Sequence, residues 1–105
     1  MPTRQFELIY APIVKSHLKT IEPKYYPLIR GTIAEQLSVE PESETRNRKP
    51  LKRPSLGATW ELRFGPINRF RVLYKVNLGN RQVTILAIGV KEAELLRIGG
   101  EEIKL

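Results

Sequence analysis

Residues 60–76 read Trp60-Glu61-Leu62-Arg63-Phe64-Gly65-Pro66-Ile67-Asn68-Arg69-Phe70-Arg71-Val72-Leu73-Tyr74-Lys75-Val76, and the period of two on either side of the Gly-Pro step decides the fold. Trp60, Leu62 and Phe64 alternate with Glu61 and Arg63; beyond the turn, Phe70, Val72, Tyr74 and Val76 alternate with Arg69, Arg71, Leu73 and Lys75. Side chains on a strand point to opposite faces in turn, so two antiparallel strands are predicted, one face apolar and the other charged. Leu78-Gly79-Asn80 is a turn signal, and Val83 to Val90 is apolar at nearly every position, the mark of a strand covered on both faces near the sheet centre. In the tail, Gly99-Gly100 is expected to turn a terminal hairpin with Leu96, Ile98, Ile103 and Leu105 inward, a short helix being the alternative.

Working towards the N-terminus, Phe6, Leu8 and Tyr10 alternate with Gln5, Glu7 and Ile9 as in a short half-buried strand. Pro12 suits the first turn of a helix that carries Ile13, Val14, His17, Leu18 and Ile21 at three- and four-residue spacing up to Pro23. A second helix, about 25–37, repeats that spacing with Tyr25, Leu28, Ile29, Ile33 and Leu37, and the short connection folds it back into a helical hairpin. Residues 38–58 lack apolar periodicity and hold Pro41, Pro50 and Pro54, so a long loop is expected there, of the kind that is functional or disordered. The order β-α-α-β-β-β predicts an α+β fold: an N-terminal strand, a helical hairpin, then an antiparallel β-meander whose one face carries the helices and whose other meets solvent. On that open face Arg63, Arg69, Arg71 and Lys75 are expected to project together. His17 and Tyr74 read as packed side chains on the apolar side.

A chain of 105 residues fits one domain, 1–105, with a single modest core. No apolar run approaches the ~20 residues of a membrane span, and the opening decapeptide has no signal-peptide stretch, so a cytoplasmic protein with no membrane partner is expected. With no cysteine, no aspartate and one histidine, no metal site and no cofactor is expected. The net charge of +7 is unevenly spread: residues 46–81 hold ten basic residues against Glu61 alone, and the flanks are each slightly acidic. Charge concentrated in this way predicts a basic surface for an anionic partner, with nucleic acid foremost.

Trp60-Glu61-Leu62-Arg63, then Arg71-Val72-Leu73-Tyr74-Lys75-Val76, then Ile85-Leu86-Ala87-Ile88-Gly89-Val90-Lys91 resemble the pattern of RelE/ParE-type toxins, and the stretch Leu51 to Gly57 and the leading strand and helices match as well. The resemblance implies the toxin of a type II toxin–antitoxin system, neutralised by a cognate antitoxin. Better-known members of the superfamily are ribosome-dependent mRNA endonucleases (mRNA interferases) and another branch inhibits DNA gyrase; a catalytically decayed toxin or simple RNA-binding module is a third reading. The chain departs from the RelE pattern in three places: Glu61 stands where RelE has a lysine, Lys91 replaces an arginine, and Arg97 falls near the position of a C-terminal tyrosine. The turn at Pro66-Ile67-Asn68 is also longer than usual.

Cleavage of RNA by its own 2′-hydroxyl needs a base, an acid for the leaving 5′-oxygen and cations for the phosphorane charge. Arg63 and Arg71 carry the donor fork that suits phosphate oxygens. Lys75 or Lys91 is the expected proton-exchanging group; Glu61 is either the base or a local ion-pair partner of Arg63 or Arg71. Arg46, Arg48, Lys49, Lys52 and Arg53 are expected to contact RNA phosphates at the ribosome, alongside Arg69 on the sheet.

Overall fold

In the computed structural model, which describes residues 5–104, strand β5 (Gln82–Glu92) organises the molecule because both of its edges are used. Along one edge runs β4 (Phe70–Asn77), followed outward by β3 (Ala58–Phe64) and β2 (Arg48–Ser55), all antiparallel. The other edge is shared. β1 (Glu7–Tyr10) pairs in parallel with the first half of β5, Glu7 opposite Gln82 to Tyr10 opposite Ile85. β6 (Leu95–Ile98) pairs antiparallel with the last part, Gly89 to Glu92, and β7 (Glu101–Ile103) completes the terminal hairpin. The result is a seven-stranded sheet among the described residues. The hairpin reading of the tail holds; Leu105 lies outside the described residues.

Between β1 and β2 come α1 (Val14–Leu18), a 3₁₀ turn (Pro23–Tyr25) and α2 (Tyr26–Leu37). No helix is long and apolar enough to cross a membrane among the described residues. In α2, Ile29, Ile33 and Leu37 lie four apart and are fully buried against the sheet, each stabilising the fold by about 1.5–3 kcal/mol. They meet Leu62, Phe70, Val72, Tyr74, Ile85 and Ile88, the face assigned to the core by alternation. Tyr74 stacks on Trp60, and its hydroxyl donates to the Pro41 carbonyl at 2.7 Å.

Two expectations are corrected. Residues 38–58 are not a loop throughout: Arg48–Ser55 form the edge strand β2. The prolines hid it, yet an edge strand tolerates Pro50 and Pro54, and the β2–β3 register breaks between Pro50 and Ser55 to pass them. Nor is the second face of the sheet open. It carries a smaller core of Ala58, Leu73, Ala87, Leu96 and Ile98, flanked by Leu51, Leu86 and Ile103, because the sheet curls and brings β2 and the β6–β7 hairpin over its own concave side. A bulge helps: Leu73 faces Ala87 but Tyr74 faces Ile85, so Leu86 is passed over and the parity of β5 reverses.

Between the end of β1 and the start of β6 the edge of β5 is bare, and α1 closes it. The buried His17 accepts the Ile88 N–H through Nδ1 at 3.3 Å, so a backbone donor that no strand reaches is satisfied. Gly89 sits where β6 crosses: a Cβ there would lie 2.5 Å from the Arg97 carbonyl oxygen and 2.7 Å from Ile98 Cγ1.

Gly89→Ala should therefore lower the unfolding free energy by about 1–3 kcal/mol, read from the urea midpoint, by prising the terminal hairpin off β5. His17 gives a pH dependence. Burial holds its pKa below the ordinary 6.5, so below pH 6.5 the unfolded chain binds this proton more readily than the folded one. Its contribution is complete above pH 6.5 and is lost as pH falls from there through the folded value. Urea midpoints of wild type and His17→Asn, compared from neutral to acid pH, should show a steeper decline in the wild type; equal slopes would refute this.

Candidate nucleic-acid interface

Alternation places Glu61, Arg63, Arg71 and Leu73 on the concave face, and the β3–β4 register sets Arg63 directly opposite Arg71. Like charges in that position repel. Glu61, two residues before Arg63 on the same face, resolves the conflict. Its Oε1 accepts Arg63 Nε at 2.7 Å and its Oε2 accepts Arg71 Nη1 at 3.3 Å. Arg71 Nε donates to the Asn68 carbonyl at 2.9 Å, so the lengthened turn after β3 supplies an acceptor for it. The side chains of Glu61, Arg71 and Arg63 are 2%, 10% and 39% exposed, so of the three only Arg63 reaches the surface to a substantial degree. Its backbone is clamped by Asn47, whose carbonyl accepts Arg63 N–H at 2.7 Å and whose amide donates to the Arg63 carbonyl at 2.8 Å.

Arg63 opens into a groove of about 550 Å³ whose walls include Leu51, Lys52, Arg53, Pro54 and Lys104. Lys104 also borders a second depression, shared with Arg71, Lys91, Leu96, Glu94 and Glu102. The groove thus joins Arg63, Lys52, Arg53 and Lys104 around a partly apolar floor, and the adjoining depression sets Lys91 among Glu94 and Glu102. Cations fixed along a groove with apolar walls suit a single-stranded polyanion whose bases need cover.

The remaining sequence-predicted residues lie elsewhere. Arg71 does not project from an open face; it is largely buried, held between Glu61 and the Asn68 carbonyl, and only borders the second depression. Arg69 sits in the α region after a 3₁₀ turn, where strand alternation does not apply, and its guanidinium lies over the rings of Tyr25 at 5.4 Å and Phe70 at 5.3 Å. Lys75 is exposed near the far end of β4, beside Asn77, Gln82 and Thr84. Arg97 pairs with Val90 and Glu102 in register, on the opposite face of β6 from the buried Leu96 and Ile98. Arg48 serves the fold, donating to the Ser43 carbonyl at 2.9 Å and to the carbonyl and Oε1 of Gln36 at 2.8 and 3.0 Å. Lys49 meets Glu44 at 3.4 Å, and Arg46 is exposed. Sequence reasoning missed Lys104, Asn47 and Asn68. Lys104 stands alone at the chain's end with no motif, and the two asparagines act through backbone groups that no pattern signals. Among the described residues no group of three or more acidic or histidine side chains is placed to hold a metal.

No family model and no curated protein matches this chain. Among solved structures, a chain of the RelBE2 toxin–antitoxin complex from Mycobacterium tuberculosis superposes with a TM-score of 0.65 at 25% sequence identity, covering 83% of this chain and 99% of that one.

The burial difference between the arginines gives a stability test. Arg71→Ala removes one of two partners from a buried carboxylate and should cost about 3 kcal/mol in urea unfolding. Arg63→Ala removes the other partner but opens its more exposed position to water, which can solvate the carboxylate in its place, so it should cost less than Arg71→Ala.

Proposed function

We propose that this chain, which carries the RelE-like fold, is the toxin of a toxin–antitoxin pair and that it inhibits translation by binding RNA through the concave groove of Arg63, Lys52, Arg53 and Lys104. The observation that supports this reading best is the sorting of charge at that face. The one carboxylate that lines this groove, Glu61, is almost wholly covered, so the charge that reaches solvent within it is cationic, while Glu94 and Glu102 border the neighbouring depression. Phosphate contacts from such groups supply most of the affinity for nucleic acid and make it steeply salt-dependent.

The finer reading is a ribosome-dependent mRNA endonuclease. Arg63 would stabilise charge on the phosphorane, and Lys52, Lys91 or Lys104 would move protons at the 2′-hydroxyl and the leaving 5′-oxygen. Glu61 is poorly placed as the base, since both of its oxygens already accept guanidinium N–H groups. A second reading is favoured by one observation: neither histidine nor tyrosine lines the groove, and its one carboxylate, Glu61, is held by two guanidinium groups, so the lysines are what it offers for proton transfer. A toxin that binds without cutting, whether on RNA or as an inhibitor of DNA gyrase, needs nothing more. In either case the antitoxin would be a protein whose acidic or amphipathic segment covers the groove, because burying these cations without counter-charge is costly.

Cell-free translation with purified protein, with mRNA 5′ ends mapped with and without ribosomes, separates these readings. Ribosome-dependent cuts that fall at least tenfold in Arg63→Ala are the expected result for the endonuclease. Arrest with intact mRNA selects binding without cleavage; uninhibited translation removes the RNA reading and directs the test to gyrase.

A further inference from the structure

We propose that Glu61 is a positioning residue, which holds Arg63 by Nε so that the two terminal nitrogens of that guanidinium face a phosphate in the groove. This rests on the RNA-groove reading above and assigns a role within it.

Four observations carry the inference. The Arg63 Nε to Glu61 Oε1 bond, at 2.7 Å, is the one side-chain hydrogen bond of Arg63 among the described residues, so its terminal nitrogens keep their donors for a ligand. The second oxygen of Glu61 is held by Arg71, which the Asn68 carbonyl fixes in turn, so the carboxylate cannot swing away. Asn47 clamps the backbone of Arg63 from both sides of its peptide units. Finally, Arg63 lines the groove at 39% exposure whereas Arg71, at 10%, does not reach it, so the arginine directly opposite in the ladder serves to hold Glu61 and not to contact a phosphate in this groove.

The arrangement is hard to explain as a stability device. Apolar side chains of similar size commonly serve a buried site as well as or better than an ion pair does. What the triad achieves is geometry. An arginine already fixed by one nitrogen loses less freedom when the others bind, and the triad keeps a net positive charge because two guanidinium groups share one carboxylate.

The test measures binding of the full chain to a labelled single-stranded RNA oligonucleotide by fluorescence anisotropy across a KCl series, with melting temperature as a control. Arg63→Ala should lower the slope of log affinity against log salt by about one. The double variant Glu61→Leu/Arg71→Met removes one charge of each sign and leaves Arg63 charged but unheld. It should melt at or above the wild-type temperature and keep the wild-type slope, yet bind roughly tenfold more weakly at equal salt. Wild-type affinity in the folded double variant would overturn the positioning role. Should that variant fail to fold, Glu61→Asp, whose carboxylate falls one methylene short of Arg63, is held to the same criterion. A wild-type salt slope in Arg63→Ala would instead remove the groove reading itself, and the positioning role with it.

Discussion

A single carboxylate, Glu61, makes the register of β3 and β4 tolerable. Core packing demands that Leu62 face Val72 and Phe64 face Phe70, and that register forces Arg63 onto Arg71 on the reverse side. A one-residue slip would part the arginines but turn every aromatic out of the core. The conflict is settled locally, by a glutamate on the same face and by a turn long enough to bring the Asn68 carbonyl to Arg71. With both oxygens of Glu61 and the Nε of Arg71 so occupied, Arg63, much the most exposed of the three, is the main donor offered outward. The chemistry available at the surface is thus a residue of how the interior was balanced.

The frame that holds this balance is β5. A strand with three neighbours on two edges leaves a gap wherever two of them share an edge, and here the gap between β1 and β6 falls at Ile88. An unpaired buried N–H costs about 1–3 kcal/mol, so something must meet it, and a neutral imidazole does so while also filling space. His17 thus serves the fold, which is why the one histidine of the chain does not line the groove. The same reasoning applies to Arg48 and Tyr74, polar groups that tie the end of α2 and the segment after it to the sheet.

Much of this was legible in the sequence, and the boundary has physical causes. Strand alternation at 60–64 and 70–76, the helical stripe of Ile29, Ile33 and Leu37, and the Gly99-Gly100 hairpin were all readable because each depends on local periodicity. Strand β2 was not, because its prolines remove the signal and its pairing is with a partner that masks the irregularity by a register shift. The clustering of basic residues was visible, but their division was not. Alternation says which face a side chain takes; it is silent on whether that face will later be covered. Arg71 and Arg63 look equivalent in the sequence and differ only because the sheet curls.

That curl goes with small residues on β5. The row running from Glu61 through Leu73 ends there in Ala87, and the next, from Arg63 through Arg71, ends in Gly89. Where side chains are short, backbones approach, and β6 comes close enough to Gly89 that a methyl group would not fit. With the bulge at Leu86 adding twist, the two ends of the sheet lean towards each other over the concave side. Lysines from β2 and from the end of the chain then stand around Arg63, although nothing in their spacing along the sequence brings them together. The groove follows from backbone curvature, so substitutions that flatten the sheet should disperse its cations without touching any of them.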